Sequence, residues 1–254
     1  MLALLFLNAR RVGNGFFKFA SLTAGILMGV PLAFDYFFPS PYRVGSAPAI
    51  LLLVSIVLTV LYNRVVNLDK FDAAYALLVG VVATGLASIT WDSLVFNKLL
   101  NIAGLQHWLL AVNNIAGAAI LGTVLLAMVF GHWYLVIPKL SIDHLMLLTK
   151  VMMAAILLRM ISLVGTLALL KLEPSLPLGR VLSVLMLNLD HGLFFWPRLI
   201  CGIIAPIVLA VMIHSTVQIR HTQAATGLLY VAVIVLLLGE FMSKFLVFSV
   251  QLPF

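Results

Sequence analysis

Seven long apolar runs, separated by short polar, glycine- or proline-bearing breaks, make up most of the chain. They cover about Phe16 to Phe38, Ala47 to Val66, Ala73 to Trp91, Trp108 to Val129, His144 to Leu170, Leu193 to His214 and Ala224 to Phe248. Apolar runs of about 20 residues cross a bilayer as helices. A barrel strand would be about half as long and would alternate polar with apolar positions, which these runs do not. The pattern predicts an all-α fold: a polytopic transmembrane bundle of about seven helices, one integral membrane domain over residues 1–254. A shorter apolar stretch between Leu178 and Leu189 predicts an interfacial or re-entrant helix.

The breaks have local causes. Pro39 and Pro41 punctuate the first loop, Asn67 to Asp72 the second, Pro138 the fourth, and Pro174 with Pro177 the fifth. Pro206 falls inside the sixth run, where it removes a backbone donor and is expected to kink the helix. Met1 to Leu7 is apolar but too short for the core of a secretory leader. It reads as the tail of a longer helix if the chain extends upstream.

Composition agrees with lipid as the main solvent. The 254 residues are 64% hydrophobic and 9% charged, against about 25% charged in soluble domains. Mean hydropathy is +1.20. The net charge of +7 is scattered between apolar runs, which suits topology signals and lipid headgroups and disfavours a nucleic-acid partner. Cys201 is the only cysteine, which excludes an intrachain disulfide and CxxC chemistry.

Lysine and arginine counts suggest an orientation. With seven spans, Arg10, Arg11, Lys18, Arg64, Lys70, Lys139 and Arg220 share one face, and Arg43, Lys98, Lys171 and Arg180 the other. A cell-membrane protein with a cytoplasmic N-terminus and an outside C-terminus is expected. Aromatic groups at span ends, such as Trp91, Trp108, Trp133-Tyr134 and Phe194-Phe195-Trp196, read as headgroup-level anchors. Gly25 and Gly29 form a GxxxG that permits close helix approach.

Candidate chemistry lies in the charges that interrupt these runs. Glu240 and Lys244 sit in the seventh run, Glu240 about 10 Å from the nearer membrane surface by helical rise. Arg159 lies near the middle of the fifth run and Arg198 about one turn into the sixth. Intramembrane ionisable residues face a bundle interior or polar cavity and pair with one another. Arg159 and Glu240 fall at similar depth on spans running the same way, so an interhelical ion pair is expected, structural or functional. Asp35, Asp92, Asp190, His191 and His107 fall at the same, outer, end. Lys150 and Lys244 can also be read as snorkelling groups near span ends. Asn113-Asn114 reads as polar glue or cavity lining.

The histidines offer little else. His132 and His214 end the fourth and sixth runs at one depth, an arrangement that admits a haem b but suits interfacial hydrogen bonding better. Gly13-Asn14-Gly15 is no nucleotide loop, since the rest of the fingerprint is missing. Ser-His-Asp, HExxH and Walker patterns are missing, which disfavours soluble-type hydrolase chemistry.

Gln223-Ala224-Ala225-Thr226-Gly227-Leu228-Leu229-Tyr230, followed by Leu238-Gly239-Glu240-Phe241-Met242-Ser243-Lys244-Phe245-Leu246, resembles the closing helix of the polysulfide-reductase and dimethyl-sulfoxide-reductase membrane-anchor family. Gly239, Glu240, Lys244 and Phe245 carry the likeness, which covers about a tenth of the chain. The chain departs in having Lys244 where arginine is more usual, and seven helices rather than eight. The resemblance implies a haem-free bundle that exchanges electrons between quinone and an iron–sulfur partner subunit, with quinone near the outer surface. Glu240 or His191 would then accept the quinol proton, and Arg159 or Arg198 would hold a quinone oxygen. Lys244, Asp35 and Asp92 would contact the ligand. A redox-complex subunit is thus the leading expectation. A proton-coupled transporter using Arg159 and Glu240 as a relay, or a structural membrane protein, are the alternatives.

Overall fold

The computed structural model describes residues 1–7, 12–37, 45–99, 106–137, 140–171 and 189–250. Its elements are helices: α1 (Asn14–Phe37), α2 (Ala47–Asn67), α3 (Phe71–Leu99), α4 (Gln106–Val136), α5 (Ile142–Lys171), α6 and α7 (Thr222–Val250). Helix α6 is built of three pieces: Leu189–Leu199, a π turn at Ile200–Ile204, and Ala205–Gln218. All seven are long and apolar enough to cross a membrane, as the run pattern predicts. Strand is absent among the described residues. The expected short helix between Leu178 and Leu189 lies outside them, apart from Leu189 itself.

The short helix at Leu2–Phe6 is a 3-10 turn, with Leu4 buried against the helices. Ser46 precedes α2, and proline in the first turn costs nothing there because its missing N–H would be unpaired anyway. Asp69 (φ 55°) and Arg220 (φ 60°) end α2 and α6 in the left-handed region. Lys70 N–H returns to the Val65 carbonyl and His221 N–H to Thr216, closing both C-termini by the 6→1 bond of a Schellman turn.

Packing ranks the helices. Half of the apolar window of α4 is buried, against 22–39% for the other spans. Helix α4 is therefore the central post, contacting α1, α3, α5 and α7. Phe16, Phe130, Leu145, Leu148, Ile213 and Leu229 fill the interior toward the end where α4 finishes. There Phe16 meets the Phe130 ring edge-on at 4.9 Å. The opposite half of the interior holds the buried charged and polar groups, among them Arg159, Arg198, Asn113, Ser162 and Thr166, packed among side chains such as Leu110 and Leu246.

The expected break in the sixth span takes a specific form. Pro206 has no N–H, and in a regular helix its ring would crowd the Gly202 carbonyl. The chain widens just before it: Ala205 N–H donates to the Ile200 carbonyl, five residues back. π turns of this kind re-aim the helix and are frequent at functional sites.

Candidate functional site

The polar half is assembled from five helices. Arg159 of α5 is 3% exposed, and its Nη2 lies 3.0 Å from Glu240 Oε1 of α7. The ion pair expected from depth alone is present, sheltered between helices. Its Nη1 donates to the Asn113 carbonyl of α4. The Asn113 amide donates to Thr166 Oγ1 at 2.8 Å, and Ser162 Oγ donates to Asn113 Oδ1 at 3.0 Å. Arg159, Ser162 and Thr166 are spaced at three and four residues, so one face of α5 carries the whole set. Asn113 is thus polar glue.

Asn114 turns the other way. Its amide donates to Ser93 Oγ of α3 at 2.8 Å, and its Oδ1 accepts from Lys244 Nζ of α7. Lys244 is exposed along the bundle surface, and Glu240, Arg159, Arg198 and Asp92 all act on it electrostatically. The predicted residues Glu240, Arg159, Arg198, Lys244 and Asp92 therefore fall in one cluster. Asp35 and His191 lie on α1 and α6, but their side chains, with those of Asp190 and His107, are outside the described residues.

Glycines make the cluster fit. A methyl on Gly117, one turn from Asn113, would sit 2.6 Å from Glu240 Oε2. Glu240 thus lies flat against the bare backbone of α4. A methyl on Gly202 would sit 2.0 Å from Arg198 Nη1, so the guanidinium folds over the π turn of its own helix. Gly239 would meet the backbone of Gly202 at 2.6 Å, which brings α6 and α7 together beside both charges. Next to them Phe194 and Phe245 stack at 3.9 Å between ring centroids.

Arg198 is the anomaly. It is 5% exposed, yet its Nη1 and Nη2 have no hydrogen-bond partner among the described residues. It feels the charges of Arg159 and Glu240. Glu240 is bonded to Arg159, and Arg198 is a second buried cation whose terminal donors have no partner among the described residues. Buried charges in native proteins are paired or bind something. Acceptor oxygens brought by a ligand would complete it.

Sequence reasoning missed Ser93, Ser162, Thr166, Gly117 and Gly202, and read Phe194 as a headgroup-level anchor where it stacks on Phe245. For three of them a signal existed, since Gly117 and Gly202 follow Asn113 and Arg198 by four residues, and Ser162 follows Arg159 by three. The histidines are dispersed: His214 bonds Thr149 Oγ1 at 2.9 Å and Gln218 at 3.1 Å, and His132 is exposed. No group of three metal-ligating side chains exists among the described residues. No protein-family model, curated protein or solved structure matches the chain.

Proposed function

We propose that the protein is an integral membrane subunit of a redox complex, with the Arg198–Glu240 cluster as the headgroup site of a membrane quinone. The observation that carries this reading is the buried Arg198 guanidinium, whose two terminal nitrogens have no partner among the described residues and which lies within electrostatic range of the Glu240 carboxylate. A quinone brings carbonyl oxygens for the guanidinium. A quinol brings a hydroxyl proton for Glu240. Phe194 and Phe245 supply an aromatic flank for the ring.

The chemistry divides accordingly. Arg198 donates to one ring oxygen and favours the negative charge that develops when the hydroxyl loses its proton. Glu240 accepts that proton as general base. Arg159 orients Glu240 and offsets its charge in the unliganded state. Oxidation of a quinol to quinone releases two protons, which Glu240 accepts in turn and passes on to water at the near end of the bundle, and two electrons, which pass one at a time to a redox centre on a partner subunit. The excess of lysine and arginine at the opposite end would make that end cytoplasmic and put the cluster in the outer half.

Glu240→Gln, in membranes containing the assembled complex, is expected to slow quinol oxidation about 100-fold, the low end of a general base's contribution, with subunit assembly retained. Unchanged turnover would reject the reading. A transport reading draws on one feature, the three cations Arg159, Arg198 and Lys244 against the carboxylates Glu240 and Asp92. Uptake of an anionic solute by proteoliposomes holding this chain alone would favour it.

A further inference from the structure

At the end of the bundle away from the charged cluster, a groove of about 730 Å³ runs between α1 and α2, with Trp133 of α4 at its head. We infer that this groove is a binding site for an anionic phospholipid, with the phosphate between Lys18 and Arg64 and an acyl chain along Leu22, Ile26, Ile56 and Val60.

The groove is polar at one end only. Lys18, Asn63, Arg64 and Asn67 gather where α1 begins and α2 ends, and no acidic side chain lines it among the described residues. Neither Lys18 nor Arg64 has an ion-pair partner among the described residues. Asn63 spans the floor, donating to the Lys18 carbonyl at 3.1 Å and to Ser21 Oγ at 2.8 Å. The mouth is thus braced while both cations keep their donors. Trp133 adds a third: its indole N–H is buried and has no acceptor among the described residues. Its ring packs over Gly15, where a methyl would stand 3.2 Å from it.

Below the head the lining turns apolar. From Lys18 to Ile26, and from Arg64 to Ile56, each helix advances about 12 Å. Leu22, Ile26 and Val60 are exposed on the outside of the bundle, so the slot opens sideways into lipid. Gly25 faces Thr59 with room to spare, since a methyl on that glycine would stand at ordinary contact distance, 3.8 Å, from the threonine side chain. Three donors above a lipid-facing apolar channel match a headgroup with its attached chain. A soluble phosphate would leave the channel unused. Basic pockets between membrane helices hold anionic headgroups in this way.

Delipidated protein in neutral detergent, titrated with phosphatidylglycerol or phosphatidylcholine of identical chains and read by native mass spectrometry, tests the site. Phosphatidylglycerol should bind more tightly, and Lys18→Gln with Arg64→Gln should weaken it roughly 30-fold, two basic contacts' worth. Lys18→Arg with Arg64→Lys should keep the preference, which controls for folding. Ile26→Trp should weaken both lipids alike by filling the chain slot. Equal binding of the two lipids, or a preference that survives the double glutamine variant, would overturn the inference. So would displacement of phosphatidylglycerol by glycerol phosphate at similar concentration, which marks a soluble-phosphate site.

Discussion

Gly239 of α7 and Gly202 of α6 touch backbone to backbone. A Cβ on Gly239 would lie 2.6 Å from Gly202 Cα and 2.7 Å from its nitrogen. The residues beside them in sequence or one turn away, Glu240 and Arg198, are two of the charges of the site. The crossing therefore sets how close those charges come.

Gly239→Ala should destabilise the bundle by about 1–3 kcal/mol, because backbone must move to admit the methyl. Gly202→Ala meets chiefly the flexible tip of Arg198 and should cost less. It should still shift the guanidinium and weaken ligand binding. Unfolding midpoints in mild detergent check the order. A larger loss for Gly202→Ala would contradict the geometry.

The Arg159–Glu240 pair lends itself to a double-mutant cycle. Arg159→Met alone removes the counter-ion of Glu240, and breaking a buried pair from one side costs about 3–5 kcal/mol. Arg159→Met with Glu240→Leu should cost clearly less, since no carboxylate is then stranded. Equal losses for the single and double variants would mean the two charges are independent.

Asn113→Leu should cost about 2 kcal/mol, the net worth of two lost hydrogen bonds at about 1 kcal/mol each. The loss is modest because Ser162 and Thr166 also donate to the Arg159 and Ser162 carbonyls of their own helix. Arg159 keeps its bond to the residue-113 carbonyl, which is main chain. Thermal unfolding measures the first effect. Retention of the ion pair predicts that quinol turnover falls far less than in Glu240→Gln.

Orientation has its own test. Lys70 is exposed in the turn between α2 and α3, on the more basic face. Lys70→Cys, in a chain carrying Cys201→Ala, should react with an impermeant maleimide from the cytoplasmic side of sealed vesicles. Labelling only from the outside would reverse the assignment of both ends.

The helices were legible because a membrane span is specified locally. A run of about 20 apolar residues satisfies its own backbone bonds and needs no distant partner. The runs ending at Val66, Leu170 and Phe248 correspond to helices ending at Asn67, Lys171 and Val250. The Arg159–Glu240 pair was legible too, because depth is counted along the chain and a buried guanidinium needs an anion.

Which other groups join them was not legible. In lipid these helices are apolar all round, so the sequence gives weak guidance on which face turns inward. Rotation is set by contact: Gly117 receives the Glu240 carboxylate, Gly202 takes the Arg198 guanidinium, and Asn113 and Asn114 point to different neighbours. Amino-acid order alone determined the spans and the depth of each charge, because both follow from helical rise in an apolar slab. Tertiary packing decided that Glu240 answers Arg159 while the Arg198 terminal nitrogens find no partner among the described residues, because the crossing of glycine-faced helices brings those groups within reach.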